Sequence, residues 1–389
     1  MDRRSFLKST GIALGGLTAA SLVTTGQAAT GTVSPAAKAA PLSAENPLLL
    51  NFNENSLGMS PKARQAIIDA LPGAFRYPDA AREALIEQIA AHFSLTPAHI
   101  SLGNGSSETI QAAVQMLVAN AQKKQQPVQL IVPDPTFNYA ELYAEPLGVN
   151  IVKVPLKADL SFDLAAMQAI ADNFAGHSVI YICNPNNPTA MITPASQLAQ
   201  WVNQAPPQQN FIIDEAYAEF VSDPQFKSAV EWVAAGKSNI IVTRTFSKIF
   251  ALAGLRVGYG ISVPAVTEQV NIFNSIDNTN IAGAVSALAS LNDKPFIDYS
   301  RHSTDVSREI VVAALKELNL PYAPSQANFI FHKVTGDVKT YQQRMKENHI
   351  MVGREFPPVT GWSRLTLGTP EEMQQFVAVL KQFRQKGWV

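Results

Sequence analysis

The chain has 389 residues, of which 47% are hydrophobic and 16% charged, and its 30 Lys and Arg against 31 Asp and Glu leave a formal net charge of -1. This composition excludes a disordered or fibrous chain, and the near-neutral charge gives no electrostatic reason to expect nucleic acid or an anionic membrane as a partner. Cys183 is the single cysteine, which excludes an intrachain disulfide, a cysteine-rich zinc site and a CxxC redox pair. At about 150 residues per domain, the length predicts two to three globular domains.

The amino-terminal segment has the order of parts expected of an export signal. Arg3 and Arg4 lie in a charged start, a weakly apolar run reaches Thr25, and Gly26-Gln27-Ala28 offers small residues to a signal peptidase. We predict a twin-arginine signal peptide over residues 1–28, with export by the twin-arginine machinery and a periplasmic location if the source is Gram-negative. The alternative is a cytoplasmic amino terminus that holds two arginines by chance. The apolar run is too interrupted for stable membrane insertion.

Residues 29–46 are rich in Ala, Thr, Ser and Pro, which predicts a linker or N-terminal arm. From about Asn51, short β-branched runs alternate with helical periodicity, which predicts an α/β fold with three α/β/α layers around a mostly parallel sheet. Several runs are continuously apolar, as expected of strands buried on both faces. The predicted strands are 128–132, 151–154, 178–182, 210–213, 239–242 and 256–261, and the predicted helices include 60–71, 107–121, 163–174 and 194–203.

After about Val263 the pattern changes to long helices followed by short strands, which predicts a second, smaller α+β domain. We predict a large domain over residues 79–275 and a small domain formed by residues 47–78 plus 276–389. The strands of the small domain are predicted at 328–332, 350–352 and 364–367, with a closing helix from Pro370.

Lys248 follows an apolar strand and closely follows two hydroxyl residues, Thr245 and Ser247. A lysine in this position can offer its amine to a carbonyl group, while the hydroxyls and Arg256 hold an anion. The alternative is a solvated surface lysine, which is what most lysines are.

Asp214 ends the apolar run Phe211-Ile212-Ile213. An acid at the end of a buried parallel strand faces the crevice where α/β sheets bind ligands. Because burial disfavours a carboxylate, we expect Asp214 to stay ionised by facing a positive group of a ligand. The alternative is that Asp214 caps a helix.

Two further loops carry weaker signals. Asn184-Pro185-Asn186-Asn187-Pro188-Thr189 follows a predicted strand, and its prolines hold amide groups at a rigid point, although a plain turn would look the same. Gly103-Asn104-Gly105-Ser106-Ser107-Glu108 opens a predicted helix, where backbone N–H groups can approach an anion.

Together and in this order, the four segments resemble the class I/II aminotransferases of fold type I, which use pyridoxal phosphate, and most closely the histidinol-phosphate aminotransferase branch. The resemblance runs from Asn53-Glu54-Asn55 to residues 364–369, and its most specific part is 245–256. It also covers 76–79, 135–137 and 184–189.

The resemblance implies a role for each matching residue. Lys248 forms the covalent link to the cofactor and later moves a proton, and Asp214 pairs with the pyridine nitrogen so that the ring acts as an electron sink. Tyr217 and Asn187 bond the ring oxygen, and Phe137 stacks on the ring. The implied catalytic residues are therefore Lys248, Asp214 and Tyr217.

The same resemblance implies an anion site at each end of the pocket. Arg364 binds the substrate carboxylate or a phosphate, with Asn187 beside it, and Arg354 is either a second anion contact or an arginine at the rim. Tyr77 reaches the phosphate bound in a neighbouring subunit, which implies a homodimer. The cofactor phosphate is held by Ser106, Ser107, Thr245, Ser247 and Arg256.

Two positions depart from the family pattern. Ala190 replaces the usual Gly, which is tolerable if the backbone there has a negative φ. Ser107 replaces the usual acid of the phosphate loop, which leaves the local hydrogen bonding open. Among residues outside the pattern, Cys183 is expected to be a core thiol, and the six histidines show no spacing that predicts a metal site.

The implied activity is a ping-pong, Schiff-base transfer of an amino group from an amino acid or related amine to a 2-oxo acid, with a histidinol-phosphate-like compound or a general amino acid as donor. One alternative is a decarboxylase resembling the threonine-phosphate decarboxylases, or a racemase, on the same scaffold. A more distant alternative is an exported cofactor or amino-acid binding protein without catalysis. Because histidine biosynthesis belongs in the cytoplasm, export favours a donor other than histidinol phosphate.

Overall fold

The computed structural model describes residues 41–389, so the predicted signal peptide and most of the predicted arm lie outside the described residues. The strands are β1 (Leu48–Leu50), β2 (Ile100–Gly103), β3 (Val128–Asp134), β4 (Asn150–Pro155), β5 (His177–Cys183), β6 (Gln209–Asp214), β7 (Ile240–Thr245), β8 (Gly258–Ile261), β9 (Phe329–Lys333), β10 (Ile350–Val352) and β11 (Trp362–Thr366). The α-helices are α1 (Pro61–Ala70), α2 (Asp79–His92), α3 (Ser106–Lys123), α4 (Tyr139–Ala144), α5 (Leu164–Asp172), α6 (Ala195–Gln204), α7 (Val230–Ala234), α8 (Pro264–Asn271), α9 (Ile281–Leu291), α10 (Lys294–Glu317), α11 (Val338–Glu347) and α12 (Pro370–Gln385).

A large sheet forms the centre of the described chain, in the order β2-β8-β7-β6-β5-β3-β4. The five strands β4, β3, β5, β6 and β7 pair in parallel, and β8 pairs antiparallel to both of its neighbours. The carboxyl ends of the parallel strands therefore meet at one edge, where ligands bind in sheets of this kind.

Both faces of this sheet are buried. Ile180 and Ile213 point into one apolar cluster, and their neighbours Val179 and Ile212 point into the other, because side chains alternate along a strand. Helix α3 supplies much of the second cluster through residues such as Ile110. The three-layer α/β/α fold with a mostly parallel sheet is thus confirmed.

A separate apolar cluster lies around two short sheets, in which β1 pairs in parallel with β10 and β9 pairs antiparallel with β11. Leu48 and Leu50 on β1 pack here against carboxyl-terminal residues such as Phe376 on α12. The Thr369 side chain accepts from the Glu372 N–H, and the Glu372 side chain accepts in return, so a capping box starts α12. The division into a large and a small domain stays a prediction.

The strand predictions are correct to within a few residues, but two strands were missed. These are the short strands β1, with three residues, and β2, with four. Within residues 41–389, no helix combines the length and the apolar character that crossing a membrane requires.

Candidate active site

A cavity of about 310 Å³ opens at the carboxyl ends of β5, β6 and β7. It brings together most of the residues predicted from separate segments of the sequence. Eleven of them line it: Ser106, Ser107, Phe137, Asn187, Asp214, Tyr217, Thr245, Ser247, Lys248, Arg256 and Arg364.

Lys248 lies in the turn that follows β7, with its amine inside the cavity. Its Nζ donates to the carbonyl oxygens of Asn53 at 3.1 Å and Phe52 at 3.4 Å. Burial, and then the positive charge of Arg364, lower the pKa of Lys248 to about 8. An amine with this pKa loses its proton readily near neutral pH, as a nucleophile toward a carbonyl must.

Asp214 ends β6 and is 1% exposed. Tyr181 Oη donates to its Oδ2 at 2.8 Å, and Thr243 Oγ1 donates to its Oδ1 at 3.0 Å. Burial raises the pKa of Asp214 to about 6. Among the described residues Asp214 forms no ion pair, and the short 3-10 helix that follows has Tyr217 at its N-cap, so helix capping does not account for the carboxylate.

Arg364, on β11, also lines the cavity and is 9% exposed. Its Nη1 donates to Asn187 Oδ1 at 2.7 Å and its Nη2 to the Asn51 carbonyl at 2.6 Å. Its Nε is buried without a partner among the described residues. Burial lowers the pKa of Arg364 to about 10, which still leaves a cation at neutral pH. The guanidinium is therefore a fixed positive charge with a spare donor.

The amino terminus of α3 forms the third side of the cavity. Its N-cap is Gly105, with φ of 74° and no side-chain cap, so the first N–H groups of the helix are open to a ligand. The backbone of Gly258 packs directly against the Ser106 N–H. A Cβ at position 258 would collide with this group, so only glycine fits there. Arg256 Nη2 donates to Ser107 Oγ at 3.1 Å. Helix terminus, hydroxyl and guanidinium together make an anion site.

Comparison with known proteins gives the family. The model of the family "Aminotransferase class I and II" matches residues 45–380. The chain belongs to the class I and II aminotransferases. This aminotransferase is 35% identical over 354 residues to the histidinol-phosphate aminotransferase 2 of Ralstonia nicotianae, which covers 90% of this chain and 92% of that protein. It is 32% identical over 342 residues to the histidinol-phosphate aminotransferase of Moorella thermoacetica, with 88% and 86% covered.

Solved structures agree with the assignment. A crystal structure of a putative histidinol-phosphate aminotransferase from Erwinia carotovora atroseptica matches with a TM-score of 0.87 and 41% identity, covering 90% of this chain and 99% of that one. The histidinol-phosphate aminotransferase of Sinorhizobium meliloti, in complex with pyridoxal-5'-phosphate, matches with a TM-score of 0.79 and 23% identity, covering 87% and 91%. At that identity the second match shows the shared fold alone. The predicted family, the aminotransferase activity and the pyridoxal phosphate cofactor that the family uses are confirmed.

The residues of this aminotransferase fit that cofactor. The anion site at α3 suits a phosphate, and the Lys248 amine suits the aldehyde carbon. The buried carboxylate of Asp214, which has no cation among the described residues, suits a protonated ring nitrogen. Within residues 41–389, no group of three His, Cys, Asp or Glu side chains could hold a metal ion.

Two hydroxyl groups that line the cavity are bonded to each other. Thr245 Oγ1 donates to Ser247 Oγ at 2.9 Å and accepts from the Ser247 N–H at 3.1 Å. Phe137 lines the cavity and stacks on Tyr139, with ring centroids 4.2 Å apart and planes at 29°. Tyr139, the first residue of α4, lines the cavity too and was not predicted, because a single aromatic at the start of a short helix carries no spacing signal.

Glu108 supplies the acid of the phosphate loop, one residue after Ser107. Its Oε2 accepts from the Asn104 N–H at 2.5 Å and from Asn278 Nδ2 at 3.2 Å, and its Oε1 accepts from the Ser275 N–H at 3.0 Å. This role of Glu108 was not predicted from the sequence. Glu108 ties the loop to a segment far along the chain, which no local pattern reveals.

Two predicted residues do not line the cavity. Tyr77 is 78% exposed. Arg354 donates from Nη1 to the Glu355 carbonyl at 2.9 Å, and its guanidinium lies 4.3 Å from the centroid of the Phe356 ring. The guanidinium of Arg364 lies 5.1 Å from the centroid of the same ring, so the Phe356 ring contacts both guanidinium groups.

The backbone of Ala190 was expected to have a negative φ, but its φ is 60°. This is the left-handed region, which costs an alanine roughly 1 kcal/mol relative to glycine. The residue is held there by hydrogen bonds from its own N–H to the Asn186 carbonyl at 2.7 Å and from the Gln326 N–H to its carbonyl at 2.8 Å. The loop therefore holds Ala190 in a turn that glycine would adopt without strain.

Proposed function

We propose that this aminotransferase accepts an amino donor with an anionic group, either a histidinol-phosphate-like amine or a general amino acid, and passes the amino group to a 2-oxo acid. The observation that carries the proposal is the single cavity that joins an amine, an unpaired buried carboxylate and two separate anion sites. One anion site suits the cofactor phosphate, which leaves Arg364 for the substrate. The names of the relatives favour histidinol phosphate as one donor to be tested.

When bound, the cofactor supplies an electron sink for the carbon that loses its proton. Lys248 Nζ would hold the cofactor through its aldehyde carbon and, once free of it, would hold and move the proton of the substrate carbon. Its lowered pKa serves both tasks, because the amine must be neutral to attack and to accept a proton. Asp214 would keep the ring nitrogen protonated, and Tyr217 and Asn187 would donate to the ring oxygen.

The other residues bind and orient. Arg364 binds the substrate carboxylate or phosphate with its planar guanidinium, and Arg354 is proposed as a second contact for the same anion. Phe137 stacks on the cofactor ring. The cofactor phosphate is held by Ser106, Ser107, Thr245, Ser247 and Arg256.

A decarboxylase or racemase is not favoured. The two relatives compared at over 30% identity are named aminotransferases. An L-threonine-O-3-phosphate decarboxylase from Porphyromonas gingivalis shares only the fold, at 17% identity and a TM-score of 0.73.

The test is a donor and acceptor panel on the purified protein without residues 1–28. We expect turnover that needs both an amine and a 2-oxo acid, and a change in cofactor absorbance when the amine alone is added. Carbon dioxide release without a 2-oxo acid would contradict the proposal. A strong preference for histidinol phosphate over all amino acids would identify the donor class. It would also contradict the expectation that an exported enzyme uses a donor other than histidinol phosphate.

We further propose a homodimer in which Tyr77 reaches the partner's cofactor phosphate. Tyr77 and Ile276 are 78% and 90% exposed, and Arg82 joins their segments through Asp79 and Asp277, at 3.6 Å and 3.7 Å. Large apolar patches of this kind mark protein interfaces. Through Glu108, the segment that holds Ile276 also adjoins the phosphate loop.

Mixing subunits tests this arrangement. Homodimers of Tyr77→Phe are expected to bind the cofactor about tenfold more weakly, and a monomer by sedimentation would contradict the proposal. In hybrids with Lys248→Ala subunits, the intact Lys248 lies in the Tyr77→Phe subunit and receives an intact partner's Tyr77, so its cofactor affinity is expected to recover.

We also propose that the twin-arginine segment over residues 1–28 exports the folded protein. Replacing Arg3 and Arg4 by lysine is expected to keep the protein in the cytoplasm. Release of the paired variant into the periplasmic fraction at the normal level would contradict this.

A further inference from the structure

Asp214 receives hydroxyl donors from the two strands that flank β6. Cys183 on β5, Asp214 on β6 and Thr243 on β7 lie in one row of the sheet, since Cys183 pairs with Asp214 and Asp214 with Thr243. Tyr181 lies two residues before Cys183, on the same face of β5. Its phenol therefore reaches Asp214 Oδ2 at 2.8 Å, while Thr243 occupies Oδ1 at 3.0 Å.

The Tyr181 hydroxyl has no packing reason to be there. Its side chain is 0% exposed and lies among apolar residues such as Val179 and Ile212, where a phenylalanine ring would pack as well. Burying a hydroxyl is costly unless it is hydrogen-bonded, and Asp214 is the acceptor of this one. The hydroxyl is thus tied to the carboxylate rather than to the core.

Hydroxyl donors act on the protonation of Asp214. Burial raises the pKa of Asp214, and the hydrogen bonds from Tyr181, Thr243 and the Ala216 N–H lower it again. Other ionisable groups act on Asp214 less than burial and the hydrogen bonds do: the Cys183 thiol donates to the Pro185 carbonyl, Glu215 is bound to Arg244, and Tyr217 and Lys248 line the same cavity without a hydrogen bond to Asp214. The balance between burial and the two hydroxyls decides whether Asp214 is an anion.

We propose that Tyr181, with Thr243, is a positioning residue that keeps the Asp214 carboxylate ionised and directed into the cavity, so that Asp214 can hold a proton on the ring nitrogen of the cofactor. The inference rests on the proposed role of Asp214. A neutral Asp214 would no longer stabilise a protonated ring nitrogen, and the ring would lose much of its power as an electron sink.

The first test is Tyr181→Phe, with Tyr341→Phe as the matched control. Tyr341 is also a buried tyrosine, but its hydroxyl has no partner among the described residues and it lies in the cluster around β9 and β11. We expect kcat of Tyr181→Phe to fall about 10- to 100-fold with little change in KM, as for the loss of a hydrogen bond to a charged group. Tyr341→Phe is expected to keep the wild-type kcat.

Spectroscopy separates this role from a purely structural one. In Tyr181→Phe, the acidic limb of the pH profile and the pH titration of the bound cofactor's absorbance are both expected to move to higher pH, because Asp214 takes up a proton more easily. An unchanged titration together with an unchanged kcat would overturn the proposal. Loss of turnover in the wild-type protein with every donor would instead overturn the proposed function.

Thr243→Val covers the case in which Tyr181→Phe does not fold, since it removes the other hydroxyl with little change in shape. We expect the same direction of shift, but smaller, because Tyr181 is the stronger donor. A cofactor analogue with carbon in place of the ring nitrogen gives the decisive control. With it, the variants and the wild type are expected to react at the same slow rate, and a remaining difference between them would refute the role at the nitrogen.

Discussion

Asp214 and Glu215 are neighbours at the end of the same strand, yet they occupy opposite electrostatic environments. Glu215 is 0% exposed and bonded to Arg244 at 2.6 Å, and Glu219 binds the same guanidinium at 2.8 Å. Asp214, on the other face, is bonded by hydroxyls and has no cation among the described residues. One face of the strand ends is thus closed by a buried ion network, and the other is open to a ligand.

The difference between Asp214 and Glu215 distinguishes a structural buried charge from a functional one. A buried ion whose partners are all in the chain contributes to the structure, and removing one partner leaves an uncompensated charge. A buried ion without a partner in the chain is costly unless a ligand completes it, so it marks a functional site. Substitutions on the open face should therefore change turnover, and substitutions on the closed face should change the free energy of unfolding.

The largest effect is expected on the open face. Lys248→Ala removes the amine that binds the cofactor, so turnover should fall by about 10³-fold or more, while the free energy of unfolding of the cofactor-free protein should not decrease. Steady-state rates and urea unfolding measure the two quantities. Lys227→Ala, at an exposed lysine, is the control and should change neither. A stable Lys248→Ala protein with substantial turnover would contradict the catalytic role of Lys248.

On the closed face, the loss should be in stability. Arg244→Met leaves Glu215 and Glu219 without their cation and should cost about 3–5 kcal/mol of unfolding free energy. Lys381→Ala breaks an exposed ion pair with Glu317 and should cost less than about 1 kcal/mol. Urea unfolding of both variants gives the contrast, and equal costs would show that the Arg244 network is not the structural element described above.

His332 belongs to neither class, because it is fully buried with no charged partner, and burial lowers its pKa to about 4. The unfolded chain takes up the proton near pH 6.5 and the folded chain near pH 4, so stability should fall as pH falls through this interval, by roughly 3 kcal/mol in total. In His332→Phe that part of the pH dependence should disappear. Unfolding at about pH 7.5 and pH 5 measures it, and His302→Asn, at an exposed histidine, should keep the wild-type slope.

Arg364→Lys tests whether the charge or the planar fork matters at the substrate end. Because lysine keeps the charge but loses the paired donors to Asn187 and the Asn51 carbonyl, KM for the donor should rise by about 10-fold with a smaller change in kcat. Arg64→Lys, at an exposed arginine, serves as control. An unchanged KM would place the substrate anion elsewhere, with Arg354 as the next residue to test.

The smallest effect is expected at Ala190. Glycine would relieve the left-handed backbone but lose a buried methyl group and gain entropy in the unfolded chain, so the terms nearly cancel. Ala190→Gly should change the free energy of unfolding by less than about 1 kcal/mol. A larger change in thermal or urea unfolding would show that one of these terms dominates.

The sequence was sufficient to predict the central sheet and the residues of the cavity that follow buried strands, such as Asp214 and Lys248. It was insufficient for residues whose role depends on pairing between strands. Tyr181 and Thr243 meet at Asp214 only through the register of β5, β6 and β7, and Asn53 bonds Tyr217 at 3.1 Å although the two residues are 164 positions apart in the sequence. The backbone angle of Ala190 was equally invisible, because hydrogen bonds of the folded loop override its residue preference.

The order of synthesis gives one of these contacts a further meaning. Asn53 lies against Lys248, and its N–H donates to Thr366 Oγ1 at 2.9 Å, a contact that joins the beginning of the described chain to β11. A ribosome must therefore release almost the whole polypeptide before the cavity has all its walls. The substrate end of the cavity, with Arg364, is thus completed later than the residues between 106 and 256 that are proposed to hold the cofactor.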